Sequence, residues 1–155
     1  MLMSENIDKI DREILKIIQA DATRPLEDIA ARVSVSTNTC WRRVRKLELA
    51  GVIQRRVAIL DPHALGLVLT VFVSVSTADH SDGWLKRFAA AVDGISQITE
   101  FYRLAGETDY LLKIMARSVA DYDEVYKRLI AKIDLADVSA SFAMETIKHD
   151  TALPI

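Results

Sequence analysis

The chain of 155 residues is most informative first in what it lacks. It has one cysteine, Cys40, which excludes an intrachain disulfide and a cysteine-based metal site. It has no long apolar run either: the longest uncharged stretch, Ala64 to Ala78, contains Ser, Thr and Gly. That is too polar and too short for a membrane span, which needs roughly 20 apolar residues. Near the N-terminus, Glu5, Asp8 and Asp11 interrupt any core that a signal peptide would require. The three histidines, His63, His80 and His149, fall in segments that place no two of them together for catalysis or metal binding. There is no activated nucleophile, no phosphate-binding glycine loop, no internal repeat and no low-complexity tract. These absences predict a soluble, cytoplasmic protein that is not an enzyme and has no metal site.

What is present is unevenly distributed. The chain carries 20 Lys and Arg against 22 Asp and Glu, yet residues 1–56 hold 11 cations and 8 acids while the remainder holds 9 and 14. Four of the cations, Arg42, Arg43, Arg45 and Lys46, crowd into five positions of the stretch STNTCWRRVRKLE. A sign split between halves suggests that the first half meets a polyanion. Ile7, Ile10, Ile14, Ile17 and Ile18 recur at helical spacing with Asp8 as N-cap, predicting a helix over roughly 8–20. Leu26, Ile29, Ala30 and Val33 mark a short second helix. Ser34-Val35 is a tight turn, Ser36 caps a third helix, and Gly51 ends it. Ile53 to Leu60 reads as β-like before Asp61-Pro62 breaks the pattern.

Two short helices joined by a tight turn are the parts of a helix-turn-helix. At 100° per residue, Cys40, Val44 and Leu47 share one face and must turn to the core. Asn38, Arg42 and Arg45 point the opposite way, with Trp41 and Lys46 on the shoulders. Polar residues at a helix N-terminus followed by cations suit insertion in the major groove of double-stranded DNA. The candidate DNA-binding residues are therefore Ser36, Thr37, Asn38, Trp41, Arg42, Arg45 and Lys46, with Arg55 beyond the helix. A charge run on an isolated helix is usually a solvated face. Here the single sign and the preceding helix favour a nucleic-acid surface. Arg43 lies near the buried edge and is equally an ion-pair partner or a DNA contact. Trp41 is divided between contacting DNA and packing on the second helix.

From Leu67 the period changes. Leu67, Leu69, Val71, Val73 and Val75 alternate with Val68, Thr70, Phe72 and Ser74, a strand with both faces largely apolar. Trp84, Phe88, Ala91 and Val92 make a helix; Gln97 to Ala105 and Tyr110 to Ala116 form a hairpin around the turn Gly106-Glu107-Thr108-Asp109. Ser118 with Asp121 resembles a capping box, Tyr122, Val125, Tyr126, Leu129 and Ile133 give that helix its apolar face, and Val138 to Ile147 is a last strand. The order βαββαβ is ferredoxin-like. The predicted class is α+β: a winged helix-turn-helix over residues 1–60, then an αβ sandwich over 61–155. Excess apolar character on the first strand predicts a partner sheet from a second copy. Dimeric αβ-barrel enzymes and amino-acid-binding modules share the C-terminal pattern, and a fold does not dictate a function.

Five ordered blocks, IDKIDREIL, CWRRVRKLELAGVI, LDPHALGL, GETDYLLK and SFAMETIK with TALPI, make the chain resemble the Lrp/AsnC family of bacterial and archaeal regulators. The resemblance spans nearly the whole chain. It implies a transcriptional regulator whose second domain dimerises, often assembles into octamers, and tunes binding to pseudo-palindromic promoter sites in response to an amino acid. It places the effector pocket at Gly106, Glu107, Thr108 and Asp109, between neighbouring dimers, with Ser141 and Phe142 on the contributing strand. WRRV, DHSDGW and ASFAM resemble a branch in which some members answer to cysteine. The chain departs from the family at Ser34, where glycine is usual, and at Pro25, where a capping serine is often found, leaving Thr23 as a substitute. The alternative is an architectural, nucleoid-associated protein with little sequence preference.

Overall fold

The computed structural model describes residues 7–155, so the stretch holding Glu5 lies outside it. The described residues fall into two compact units: residues 7–59 with 148–155, and residues 60–147.

The first unit is built from three helices: α1 Lys9–Ala20, α2 Leu26–Arg32 and α3 Thr37–Leu49. Asp8 caps α1 in a reciprocal box, accepting the Asp11 N–H at 2.8 Å while the Asp11 carboxylate accepts the Asp8 N–H at 3.2 Å. Helix α2 lacks a side-chain cap because Pro25 occupies that position. Thr23 does not substitute: its N–H and hydroxyl both turn back to the Asp21 carboxylate. Helix α2 ends in a Schellman turn, with Ser34 N–H donating to the Ala31 carbonyl and Val35 N–H to the Ala30 carbonyl. That geometry requires a left-handed residue, and Ser34 adopts it at φ 57°. Ser36 caps α3 through the Thr39 N–H. Ile14, Ile18, Ile29, Ala30, Cys40 and Val44 form the core of this unit.

Residues 53–60, expected to be β-like, form no strand. A β-rich stretch becomes a strand only where a ladder partner exists, and within the described chain this one has none.

The second unit contains β1 Leu69–Ser76, α4 Asp82–Asp93, β2 Ile98–Arg103, β3 Tyr110–Ala116, α5 Val119–Ile130 and β4 Asp137–Phe142. The sheet is antiparallel in the order β2-β3-β1-β4, as βαββαβ chirality dictates. Val71, Val73 and Val75 face the helices and are buried with Leu112 and Ile114. The opposite face of β1 is partly open: Phe72 retains 37 % of its surface and neighbouring Val68 55 %. Ser118 caps α5 by accepting the Asp121 N–H, but the box is not completed, because the Asp121 carboxylate accepts from the N–H and guanidinium of Arg117 instead. The last strand stops at Phe142 rather than Ile147. Among the described residues its only neighbour is β1, and the pairing runs out where the Ala143 N–H donates to the Thr70 carbonyl.

Candidate functional site: the third helix and the hairpin turn

The phase of α3 decides which of its side chains face solvent. Cys40, Val44 and Leu47 are buried, and burial raises the Cys40 thiol pKa, as befits a small core residue. The opposite face presents Thr37, Asn38, Trp41, Arg42, Arg45 and Lys46, all exposed. Ser36 is spent on capping: its hydroxyl accepts the Thr39 N–H and lies 2.8 Å from the Thr39 hydroxyl. Trp41 keeps 53 % of its surface, while also lining a groove with Arg24 and Leu26, so it packs and presents at once.

The cations separate into three situations. Arg43 is removed from the surface pool: one guanidinium nitrogen contacts Asp8 at 2.7 Å and Asp11 at 2.8 Å. The pair raises the Arg43 pKa, chiefly through Asp11 and then Asp8, and the Asp11 N–H, followed by Arg43, lowers that of Asp8. Arg45 and Arg56 share the carboxylate of Glu48, at 3.0 and 3.1 Å. These are exposed pairs, weak enough to exchange for a phosphate. Arg42 and Arg55 are exposed and have no ion-pair partner among the described residues. Glu48 is a further member of this surface, and its spacing of three from Arg45 is the signal for it in the sequence.

The hairpin turn is closed by the Leu104 N–H donating to the Asp109 carbonyl at 2.8 Å. Gly106 sits at φ 154°, which favours a residue without Cβ. Asp109 is heavily committed. One carboxylate oxygen accepts the Thr77 N–H at 2.8 Å, and its own N–H donates to the Val75 carbonyl at 3.2 Å, tying the turn to the end of β1 and the residue just after it. Its other oxygen lies 3.9 Å from His80 Nδ1. Glu107 is exposed, and its carboxylate has no partner among the described residues.

Ser141 and Phe142 do not join this turn within one chain. Register places Tyr110 opposite Val75 and Val75 opposite Val138, so Ser141 lies three residues further along β4, roughly 10 Å at strand rise, with β1 intervening. The two also face opposite ways. Phe142 turns to the helix side, its ring 5.5 Å from Tyr122, whereas Ser141 pairs across from Phe72 on the open face.

Among the described residues no group of three or more His, Cys, Asp or Glu is placed to hold a metal ion, and no helix is long and apolar enough to cross a membrane.

Residues 7–48 match the model of the AsnC-type helix-turn-helix domain, and residues 70–153 that of the Lrp/AsnC ligand binding domain. The chain is similar to a glutamate uptake regulatory protein of Zymomonas mobilis, 46% identical over 153 residues that cover 99% of this chain and 93% of that protein. Among solved structures it is similar to an AsnC family transcriptional regulator from Agrobacterium tumefaciens, with a TM-score of 0.91, 52% identity and coverage of 95% and 96%. A transcriptional regulator from Neisseria meningitidis in complex with L-Met superposes with a TM-score of 0.88 at 32% identity, covering 95% of this chain and 96% of that one.

Proposed function

From the premise that this chain belongs to the Lrp/AsnC family of transcriptional regulators, we propose that it binds promoter DNA sequence-specifically and responds to an amino acid or a related small metabolite. The observation that carries this reading is the α3 face, where Asn38 and Arg42 are exposed and uncommitted on a helix set by a tight turn. In this reading Thr37, Asn38, Trp41 and Arg42 reach the major groove, Ser36 fixes the start of the helix, and Arg45, Lys46 and Arg55 meet phosphates. The protein acts in the cytoplasm as a regulator, not an enzyme, with residues 1–60 as the DNA-binding domain and 61–155 as the effector and oligomerisation domain. A second copy covers the open sheet face around Phe72, giving a dimer that assembles further. Its two recognition helices read half-sites about one DNA turn, or a multiple, apart.

An amino-acid effector needs N–H donors for its carboxylate and an acid for its ammonium. Gly106, Glu107, Thr108 and Asp109 supply both from one turn, and Ser141 and Phe142 come from a neighbouring chain. Asp109 also holds the turn itself, so the two acids separate by substitution: Glu107→Gln removes an uncommitted carboxylate, and Asp109→Asn alters the clasp to Thr77.

Two measurements test the proposal. Titration with the region upstream of the protein's own gene and with random DNA of equal length should give at least tenfold tighter binding to the former. Equal affinity returns the architectural alternative. A melting screen against the twenty amino acids, cysteine and methionine included, should find a ligand that raises the melting temperature, since selective binding to the native state stabilises it. No shift at millimolar concentration overturns the effector reading.

A further inference from the structure

Residues 148–155 follow β4 in sequence but pack with the helices of the first unit. The chain thus passes between the units at two places, near residue 59 and near residue 147. Gln19, in the last turn of α1, receives the returning segment: its amide Nε2 donates to the Leu153 carbonyl at 3.0 Å, and its Oε1 accepts the Leu153 N–H at 2.9 Å. A side chain that offers donor and acceptor to one residue's backbone imitates a neighbouring strand, and recognises an extended segment whatever its side chains. Asp150 shapes the approach by accepting the Ala152 N–H at 2.9 Å. Leu153 and Ile155 line an apolar trough of about 580 Å³ whose other walls include Leu15, Ile18, Val52 and Val57.

The stretch between the two anchored parts is bare. Residues 143–147 form no strand, and Met144 and Ile147 are 96 % and 89 % exposed. On one side of that stretch lies the end of an edge strand, held last by the Ala143 N–H. On the other lies the Gln19 clasp.

We propose that the C-terminal octapeptide is a strap, received by Gln19 and the trough beside it, that ties the end of β4 to the helices of the DNA-binding unit. The strap restrains the free end of an edge strand that has one neighbour and would otherwise fray. Because Ser141 and Phe142 sit at that end, the strap is also a route by which an occupied effector site alters the DNA-binding unit. This last step rests on the proposed function; the strap itself does not.

Hydrogen exchange on the full chain, without any amino acid, tests it. Gln19→Ala removes both hydrogen bonds of the clasp, so exchange at the Ala152 and Leu153 amides should quicken by on the order of tenfold or more. The quickening should extend to 140–143, with α2 and α3 unchanged. A chain ending at Ile147 should show the same loosening of 140–143 with Gln19 intact. Unchanged exchange at the tail in Gln19→Ala, or a loosened tail with 140–143 unaffected in both variants, overturns the strap. Protection of the tail that grows with protein concentration assigns the clasp to a neighbouring copy's tail, which also overturns it.

Discussion

The two units bury their interiors by different means. The second gathers aromatic rings: Trp84, Phe88, Phe101 and Tyr110 stand with centroids 4.9 to 5.6 Å apart. No aromatic residue enters the core of the first, which is made of Ile14, Ile18, Ile29, Ala30, Cys40 and Val44. A three-helix unit of this size has little apolar area to bury, and small domains commonly need a further device. Here it is the Arg43 cluster, which links α3 to the capping box of α1 through Asp8 and Asp11. Volume holds one unit together, and a placed charge helps to hold the other.

The largest effect expected from this contrast is a cavity in the ring cluster. Phe88 is fully buried, touching three other rings. Phe88→Ala should cost about 3–5 kcal/mol in urea unfolding of the second unit. A cost near 1 kcal/mol, within the range of an ordinary surface substitution, would mean that the rings are dispensable.

The corresponding break in the first unit is electrostatic. Asp11 is 3 % exposed, and its carboxylate binds both Arg43 and the Asp8 N–H. Asp11→Ala leaves the half-buried Arg43 guanidinium with Asp8 alone of its two acids, and loss of a hydrogen bond to a charged group should cost about 1.5–3 kcal/mol. Asp11→Asn keeps the shape and removes the charge; if it unfolds at the wild-type urea concentration, the cluster is ornamental to stability.

Adjacent arginines sharpen the same contrast. Arg42 and Arg43 are neighbours in sequence, yet one is exposed and the other is engaged with α1. Arg42→Ala should leave the melting temperature unchanged and weaken promoter binding. If the lost contact is to a phosphate, the salt dependence flattens by about one unit of slope; if to a base, specificity relaxes at a cost of about 1–3 kcal/mol. Arg43→Ala should lower the melting temperature first. The reverse pattern would move the recognition surface to another face of α3.

Sequence pattern reaches local features well and distant ones poorly. Helical phase puts Cys40, Val44 and Leu47 inside and Arg42 outside, and caps at Asp8, Ser36 and Ser118 follow from residue type and position. The βαββαβ order is legible because each element carries its own period. That Arg43 is an ion-pair partner is suggested by its edge position, but its acids lie 35 and 32 residues away, beyond any periodicity. The Gln19–Leu153 clasp spans 134 residues and has no local signature at all. Ile53 to Leu60 and Ala143 to Ile147 have strand-like composition without a ladder partner in the described chain, and pairing is a tertiary property. At the hairpin, an aspartate in a turn is visible in the sequence. The Thr77 N–H that it holds is not.

The smallest effect tests whether charge also contributes in the ring-built unit. Asp121, at the start of α5, accepts from the Arg117 guanidinium at 2.9 Å and from the Arg117 N–H at 2.9 Å. Those bonds, the side-chain one first, bring its carboxyl from the usual 3.8 down to about 2. A carboxyl lowered on folding stabilises the native state wherever the unfolded chain would already be ionised. The contribution is therefore present above about pH 4 and disappears as pH falls from 3.8 towards about 2. Since Arg117 is 70 % exposed, screening keeps the effect small and salt should shrink it further. The two tryptophans report on the two units separately: Trp41 is exposed on α3, and Trp84 is buried on α4. In a Trp41→Phe background, melting followed by Trp84 fluorescence should fall less steeply between pH 4 and 2 when Asp121→Asn is added. In the complementary Trp84→Phe background, read by Trp41, the same substitution should leave the acid profile unchanged, because the lowered carboxyls of that unit are Asp8, Glu13 and Asp21. Identical shifts in both backgrounds would show that the units unfold as one, and the contrast between them would then concern construction rather than stability.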